Sequence, residues 1–234
     1  MSERDNILGR IREALKRPAP LPGDHGQNGR NGNAATETHG GDIHASIGKW
    51  LPPASDLLEQ KVELFQKNSI DLKTDFRFFS SREELLSALA EIAQKEGWKK
   101  VGTHSGELAN AAREKLGLDV VDTSEGYDVQ ELEKCDAGIS ECDALIAQTG
   151  TVVVTARSAG GRALSVLPPH HVVLARREQL LADLPAAFAL LKRKYNEAFP
   201  SMMSFITGPS RTGDIERILV LGAHGPKKLT VLCY

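Results

Sequence analysis

The stretch Val101-Gly-Thr-His-Ser-Gly-Glu-Leu-Ala-Asn-Ala-Ala-Arg-Glu-Lys-Leu-Gly117-Leu-Asp-Val-Val-Asp122 decides the fold class. Its opening around Val101 reads as a short strand. Leu108 to Leu116 carries apolar residues at helical spacing, and Gly117 stops it. Asp119–Asp122 encloses two β-branched residues and reads as a second strand. Strand, helix and strand in that order make a right-handed βαβ unit, whose strands must run parallel.

Working outward, the same alternation continues. Upstream, residues 56–68 place Leu57, Leu58, Val62 and Phe65 on one helical face. Ser81 and Glu84 form a capping-box signature ahead of Leu85, Leu86, Leu89 and Ile92, and Gly97 closes that helix. Downstream, residues 144–148 and 151–155 are apolar runs separated by Thr149-Gly150, which predicts a tight reversal and an antiparallel pair inserted in the sheet. Residues 171–175 read as a strand and 183–195 as a helix. Residues 203–207, 218–221 and 229–233 supply the closing strands. The expectation is an α/β fold with a mixed, mostly parallel sheet and helices on both faces.

At the other end, Ile7, Leu8, Ile11 and Leu15 recur at helical spacing before Pro18, Pro20 and Pro22. Gly, Asn, His and Thr then dominate to about Ile47, too few apolar groups to offset ordering entropy. The expected organisation is an N-terminal helix over 1–17, a flexible linker over 18–47 and an α/β domain over 48–234. No internal repeat is visible.

Bulk properties exclude several classes. Of 234 residues 41% are apolar, enough for a sizeable core, and the formal charge of −2 is wrong for a nucleic-acid or anionic-membrane partner. Lys192, Arg193 and Lys194 read as a solvated helix face. No apolar run approaches the ~20 residues of a membrane span, and no signal-peptide pattern opens the chain, so a cytoplasmic protein is expected. Cys135, Cys142 and Cys233 are three and scattered. They make neither a paired disulfide framework nor the four-ligand pattern of an iron–sulfur cluster, and read as idle or buried thiols.

Three segments carry chemical interest. In Ala147-Gln-Thr-Gly-Thr151, the hydroxyls of Thr149 and Thr151 around Gly150 suit either an anion or a hairpin turn. In Gly160-Gly-Arg-Ala-Leu-Ser-Val-Leu-Pro-Pro-His-His171, Arg162 could clamp an anion and His170 sits at a loop–strand junction. Strand alternation sends His170 and His171 to opposite faces, which argues against joint metal chelation. In Ile206-Thr-Gly-Pro-Ser-Arg-Thr-Gly-Asp-Ile-Glu216, a short helix is expected near Ser210. Its free amides, with Gly208, Ser210, Arg211 and Thr212, would form an anion site. The competing reading is a capped helix with Arg211 paired to Asp214. His224 lies on the nearby turn Leu221-Gly-Ala-His-Gly-Pro226.

In order, these motifs resemble the LUD domain of the lactate utilization protein C (LutC) family. The likeness is strong over 137–234 and looser over the N-terminal Ile-Leu-Gly-Arg-Ile-Arg. It implies a NagB/RpiA/CoA-transferase-like fold and a place in bacterial oxidation of L-lactate to pyruvate. It further implies work alongside iron–sulfur lactate-utilization proteins A and B, with clusters in those partners and no cofactor or metal bound by this chain. No catalytic residue follows from the resemblance. Many members carry Glu where this chain has Gln148, and a neutral amide cannot act as a carboxylate nucleophile, which weakens a CoA-transferase mechanism. Glu141, the nearest substitute, is expected to face solvent.

Three functions follow as expectations. The first is a non-cluster component of the lactate-oxidising system, binding an anionic small molecule through Ser210, Arg211, Thr212 and the Gly150 loop. The second is a stand-alone CoA-transferase-like or sugar-phosphate-type enzyme. The third is a metal-dependent hydrolase using His170, His224 and Asp214.

Overall fold

The computed structural model describes residues 54–196, 198–215 and 218–234. The expected N-terminal helix and linker lie outside them. Helix α1 (Leu58–Leu72) runs past its expected end and stops where Lys73 turns left-handed and returns its amide to the Ile70 and Ser69 carbonyls. Strand β1 (Asp75–Phe78) follows. Ser81 then caps α2 (Arg82–Glu96), its hydroxyl accepting the Glu84 amide at 3.2 Å. The Glu84 carboxylate accepts from Ser80 N, one residue outside the expected box. The quoted stretch folds as read into β2 (Lys100–Thr103), α3 (Glu107–Leu116) and β3 (Asp119–Asp122), with Lys100 opposite Asp119 in a parallel pair.

Next come α4 (Val129–Glu133), β4 (Ala137–Glu141), β5 (Ala144–Ile146) and β6 (Thr151–Thr155). They are followed by β7 (His170–Ala175), β8 (Leu180–Leu181), α5 (Leu184–Tyr195) and β9 (Met203–Ile206). The chain closes with β10 (Arg211–Ile215), β11 (Ile218–Leu221) and β12 (Lys228–Cys233). Six strands form one sheet in the order β1-β12-β7-β4-β2-β3, every pair of it parallel.

Strand periodicity builds two cores on this sheet. Val101, Ile139, Val172, Leu174 and Leu232 point to α2 and α3, meeting Leu85, Leu89 and Leu108. Val173, Val231 and Cys233 point the other way, meeting Phe65 of α1 and Leu145, Val152 and Val154 of a second sheet. Helices therefore lie on both faces, as expected. The antiparallel pair β5–β6 is not inserted in the parallel sheet, which corrects the sequence reading. It belongs to the second sheet, β8-β5-β6-β9, stacked on the first. The reason is that Ala144, Ile146 and Val153 need their own cover, which Ala187, Leu191 and Tyr195 of α5 provide. Lys192, Arg193 and Lys194 are exposed, as read, and Lys194 also has a partner. It reaches the fully buried Asp143 carboxylate at 2.5 Å, beside the Tyr195 hydroxyl at 2.6 Å, and clamps α5 down.

The expected helix at Ser210 is also absent. Residues 211–215 pair in an antiparallel hairpin with 218–221, Arg211 opposite Leu221 and Thr212 opposite Val220. Thr212 and the β-branched, apolar composition of 218–221 favour strand over helix, and the partner strand arrives after a short reversal. Among the described residues, no helix is long and apolar enough to cross a membrane.

Two features of the sheet yield measurable consequences. A Cβ at Gly138 of β4 would stand 2.4 Å from the Leu164 carbonyl oxygen, which is backbone and cannot swing aside. Gly138→Ala should therefore destabilise the fold by about 1–3 kcal/mol, read as a lower urea midpoint. An unchanged midpoint would mean that the loop over β4 is free to lift.

His171 is sealed between the sheets and shares a 2.9 Å hydrogen bond with Ser140 of β4. Burial, with the His170 side chain adding to it, pushes the His171 imidazole down to about 3 from 6.5. The unfolded chain takes up a proton there that the fold refuses. The neutral ring's contribution is thus complete above pH 6.5 and is lost as pH falls toward 3. His171→Gln should flatten the stability-versus-pH curve across that window by about 1.4 kcal/mol per pH unit. Parallel curves for the two proteins would refute a neutral His171.

Candidate functional site

Three of the quoted segments converge on one cavity of about 160 Å³ between the two sheets, at the N-terminal ends of β7 and β12. Ser165 and Val166 enter from the loop before β7, and His171 from β7 itself. Ser204 and Ile206 come from β9. The turns Gly208-Pro209-Ser210 and His224-Gly225-Pro226 close the far side.

The two turns are tied by backbone. Ser210 N donates to the Pro226 carbonyl at 2.9 Å, and Gly222 N donates to the Ser210 carbonyl at 3.0 Å. Gly208 holds φ +91° beside α1, where a Cβ would stand 3.0 Å from the Leu72 carbonyl oxygen. Glycine is required there for both conformation and space. The Ser210 amide is therefore paired rather than bare, and the helix-terminus anion site expected from sequence does not form.

The structure sorts the remaining candidates. Gly208, Ser210 and His224 line the shared cavity. Thr149 and Thr151 join hydroxyls at 2.7 Å, and Thr151 joins Thr207 at 2.8 Å, one residue short of the cavity turn. Gly150 packs on Asn68 and Leu72 of α1, and Asn68 Nδ2 donates to the Ala147 and Gln148 carbonyls. Of the two readings of that loop, the hairpin turn is the one seen. The Arg211 guanidinium donates to the Leu72 carbonyl, and exposed Arg162 to that of Ser201. Neither lines the cavity. Thr212 sits in β10, as does Asp214, whose side chain lies outside the described part.

His170 occupies the opposite face of β7, as alternation required. Its Nδ1 lies 3.1 Å from Glu96 Oε2 and its Nε2 2.8 Å from Thr230 Oγ1. A carboxylate only accepts, so Nδ1 donates and the Thr230 hydroxyl donates to Nε2. His170 and His224 thus line different cavities, and the proposed His170–His224–Asp214 metal set does not assemble around those two rings. Among the described residues, no three His, Cys, Asp or Glu side chains gather as a metal site.

Glu141 also departs from expectation, since it is not solvent-facing. It ends β4 with its side chain 15% exposed. Oε1 accepts the Leu108 and Ala109 amides at the start of α3 at 2.9 and 3.2 Å, while Oε2 faces Arg176 at 3.5 Å. A carboxylate so engaged is a helix cap, not a waiting nucleophile. The three cysteines are buried and unpaired, as read. Burial raises the Cys142 thiol well above its usual range and the Cys233 thiol to about 12, so neither supplies a thiolate.

Sequence reasoning missed His171, Ser140, Ser165 and Ser204. Ser165 and His171 stood inside a quoted motif, but nothing local marks Ser140 or Ser204, which depend on strand register. With Ser165, Ser204 and His171 the cavity offers serine hydroxyls and two imidazoles among Val166, Ile206, Pro209 and Leu229, while Ser140 holds His171 from outside it. Among the described residues, no lysine or arginine lines it. It can hydrogen-bond a small polar molecule along one side and pack an apolar group along the other.

Known proteins resemble the chain in sequence and in fold. The LUD domain family profile matches residues 62–234. Lactate utilization protein C of Oceanobacillus iheyensis is 26% identical over 186 residues, covering 74% of this chain and 79% of that protein. The protein of the same name from Bacillus licheniformis is 28% identical over 175 residues, covering 74% of this chain and 65% of that one. The crystal structure of a DUF162 family protein from Deinococcus radiodurans superposes with a TM-score of 0.60 at 24% identity, over 77% of this chain and 99% of that chain. The fold is therefore shared with a solved structure, and the chain belongs to the LUD domain family, among the lactate utilization C proteins.

Proposed function

We propose that the chain serves bacterial oxidation of L-lactate to pyruvate as a component without clusters of its own. It acts in the cytoplasm with the iron–sulfur lactate-utilization proteins A and B, which carry the electrons, and it binds a small anionic molecule. The observation that carries this reading is the convergence of residues 165–171, 204–210 and 224–226, distant in sequence, on one cavity. The names of the two bacterial relatives point to the same process.

Size supports a substrate-like occupant. At ~30 Å³ per water-sized group, the cavity takes about five or six heavy atoms, the size of a three-carbon hydroxy acid. Hydroxyls of Ser204 and Ser210, with exposed His224, supply donors for a carboxylate, and Ile206 and Leu229 supply an apolar wall for a methyl group. An exposed apolar groove supports the partner part of this reading. Phe188, Phe199 and Met203, all exposed, surround a groove on α5 next to the edge strand β9. Apolar surface gathered in this way suits a protein contact.

Tagged full-length chain from lactate-grown cells should copurify with two cysteine-rich iron–sulfur proteins. Ser210→Val should lower L-lactate oxidation by lysate about tenfold, the effect of one lost hydrogen bond to a charged group, while the melting temperature holds. Solitary elution at low salt together with undiminished lactate oxidation in a strain lacking the chain would overturn the reading.

A further inference from the structure

The opposite face of the β7–β12 pair carries a second cavity, of about 250 Å³, and its chemistry differs sharply from the first. It opens at the N-terminal ends of β1, β12 and β7, under the last turn of α2. Its charged lining is lopsided: Lys73, Arg77, Lys95, Lys227 and Lys228 face only Asp75 and Glu96.

Both acids are answered within the cleft. Arg77 lays its fork on Asp75 at 3.1 and 2.8 Å, and Lys228 meets Glu96 at 2.8 Å. Lys73, Lys95 and Lys227 remain with no ion-pair partner among the described residues. Helix C-terminal carbonyls attract cations, which accounts for a lysine at the end of α1 and another at the end of α2. They do not account for Lys227, which follows a turn and whose stem lies along Gly222. The left-handed turn at Lys73 (φ +63°) closes α1, a position glycine usually takes, and it brings this lysine to the cleft. The floor is polar and buried, formed by the His170 ring and the Thr230 hydroxyl.

We propose that this cleft is a binding site for a compact phosphate-bearing anion, held by Lys73, Lys95 and Lys227. Free ammonium groups act as point charges that suit a tetrahedral phosphate, whereas flat carboxylates favour the arginine fork, and here the fork is occupied. Three uncompensated charges match a ligand carrying two or more negative charges. The site is separate from the lactate-sized cavity and stands or falls independently of it.

Calorimetric titration of the full chain with inorganic pyrophosphate at low ionic strength tests the proposal. Saturable binding of one pyrophosphate per chain is expected. The triple variant Lys73→Asn, Lys95→Ala, Lys227→Ala should weaken it at least tenfold, asparagine being chosen because it tolerates the backbone at position 73. A control with the same loss of charge elsewhere on the surface, Lys67→Ala, Lys115→Ala, Lys192→Ala, should stay within twofold of the unaltered chain. Absence of saturable binding, equal weakening in both triple variants, or citrate binding as tightly as pyrophosphate would overturn the assignment. Lactate oxidation is not the readout, so failure here leaves the proposed role in that process intact.

Discussion

Lys228 lies opposite His170 and Cys233 opposite Ala175, and from Thr230 to Cys233 strand β12 is also locked on its other side by β1. Because the pairing is parallel and fixed in register, it also fixes which side chains appear on which face. His170 and Thr230 go to the α2 side, and His171, Val173 and Val231 to the side of the second sheet. A slip of one residue would exchange them, exposing two cores at once. Burial of a single valine or leucine contributes about 1.5–3 kcal/mol, and each core holds many. The register is therefore held far more firmly by packing than by any polar contact near the cavities.

That constraint explains how two cavities of unlike chemistry can share a wall. Adjacent residues of one strand floor both: His171 is sealed and neutral, while His170 leans on the Glu96 carboxylate. Burial works against charge on His170 too and keeps its ring below the ordinary range despite Glu96. Burial thus favours the neutral form of both rings, and each is anchored by a hydroxyl, Ser140 for one and Thr230 for the other. These rings are oriented parts of the framework, and the groups left to meet ligands are serines on one side and lysines on the other.

Much of this was legible in the sequence wherever a local signal coincided with the final environment. Ser81, Gly97 and Gly117 mark helix ends because capping is decided within a few residues, and the βαβ unit between Val101 and Asp122 needs nothing distant. Strands β1 and β4 escaped notice. Asp-Phe-Arg-Phe and Ala-Gly-Ile-Ser-Glu carry little β-branched character, and they become strands only because β12 and β7 supply parallel partners. The Ser210 segment failed for the same reason in reverse. Ser-Arg-Thr-Gly-Asp resembles a helix start, yet residues 218–221 pair with it and take its backbone groups. The candidates that converged, Gly208, Ser210 and His224, lie in turns whose composition is set locally. Those that scattered, Arg162 and Arg211, have long side chains that found nearby carbonyls.

The covalent chemistry the chain could perform alone is narrowed by the same accounting. A CoA-transferase-like mechanism needs a carboxylate free to attack a thioester. Gln148 has none, and Glu141 is engaged with two α3 amides and Arg176, so freeing it would uncap the helix. A thiol mechanism needs a thiolate, and burial raises the Cys142 and Cys233 thiols away from ionisation. Serine hydroxyls remain at the cavity, and of its two rings His171 shares its Nε2 with Ser140, which does not line the cavity. Among the described residues, neither a free carboxylate nor a thiolate is thus offered at the lactate-sized cavity. That accounting is compatible with the proposed role, in which the chain recognises and places a small molecule.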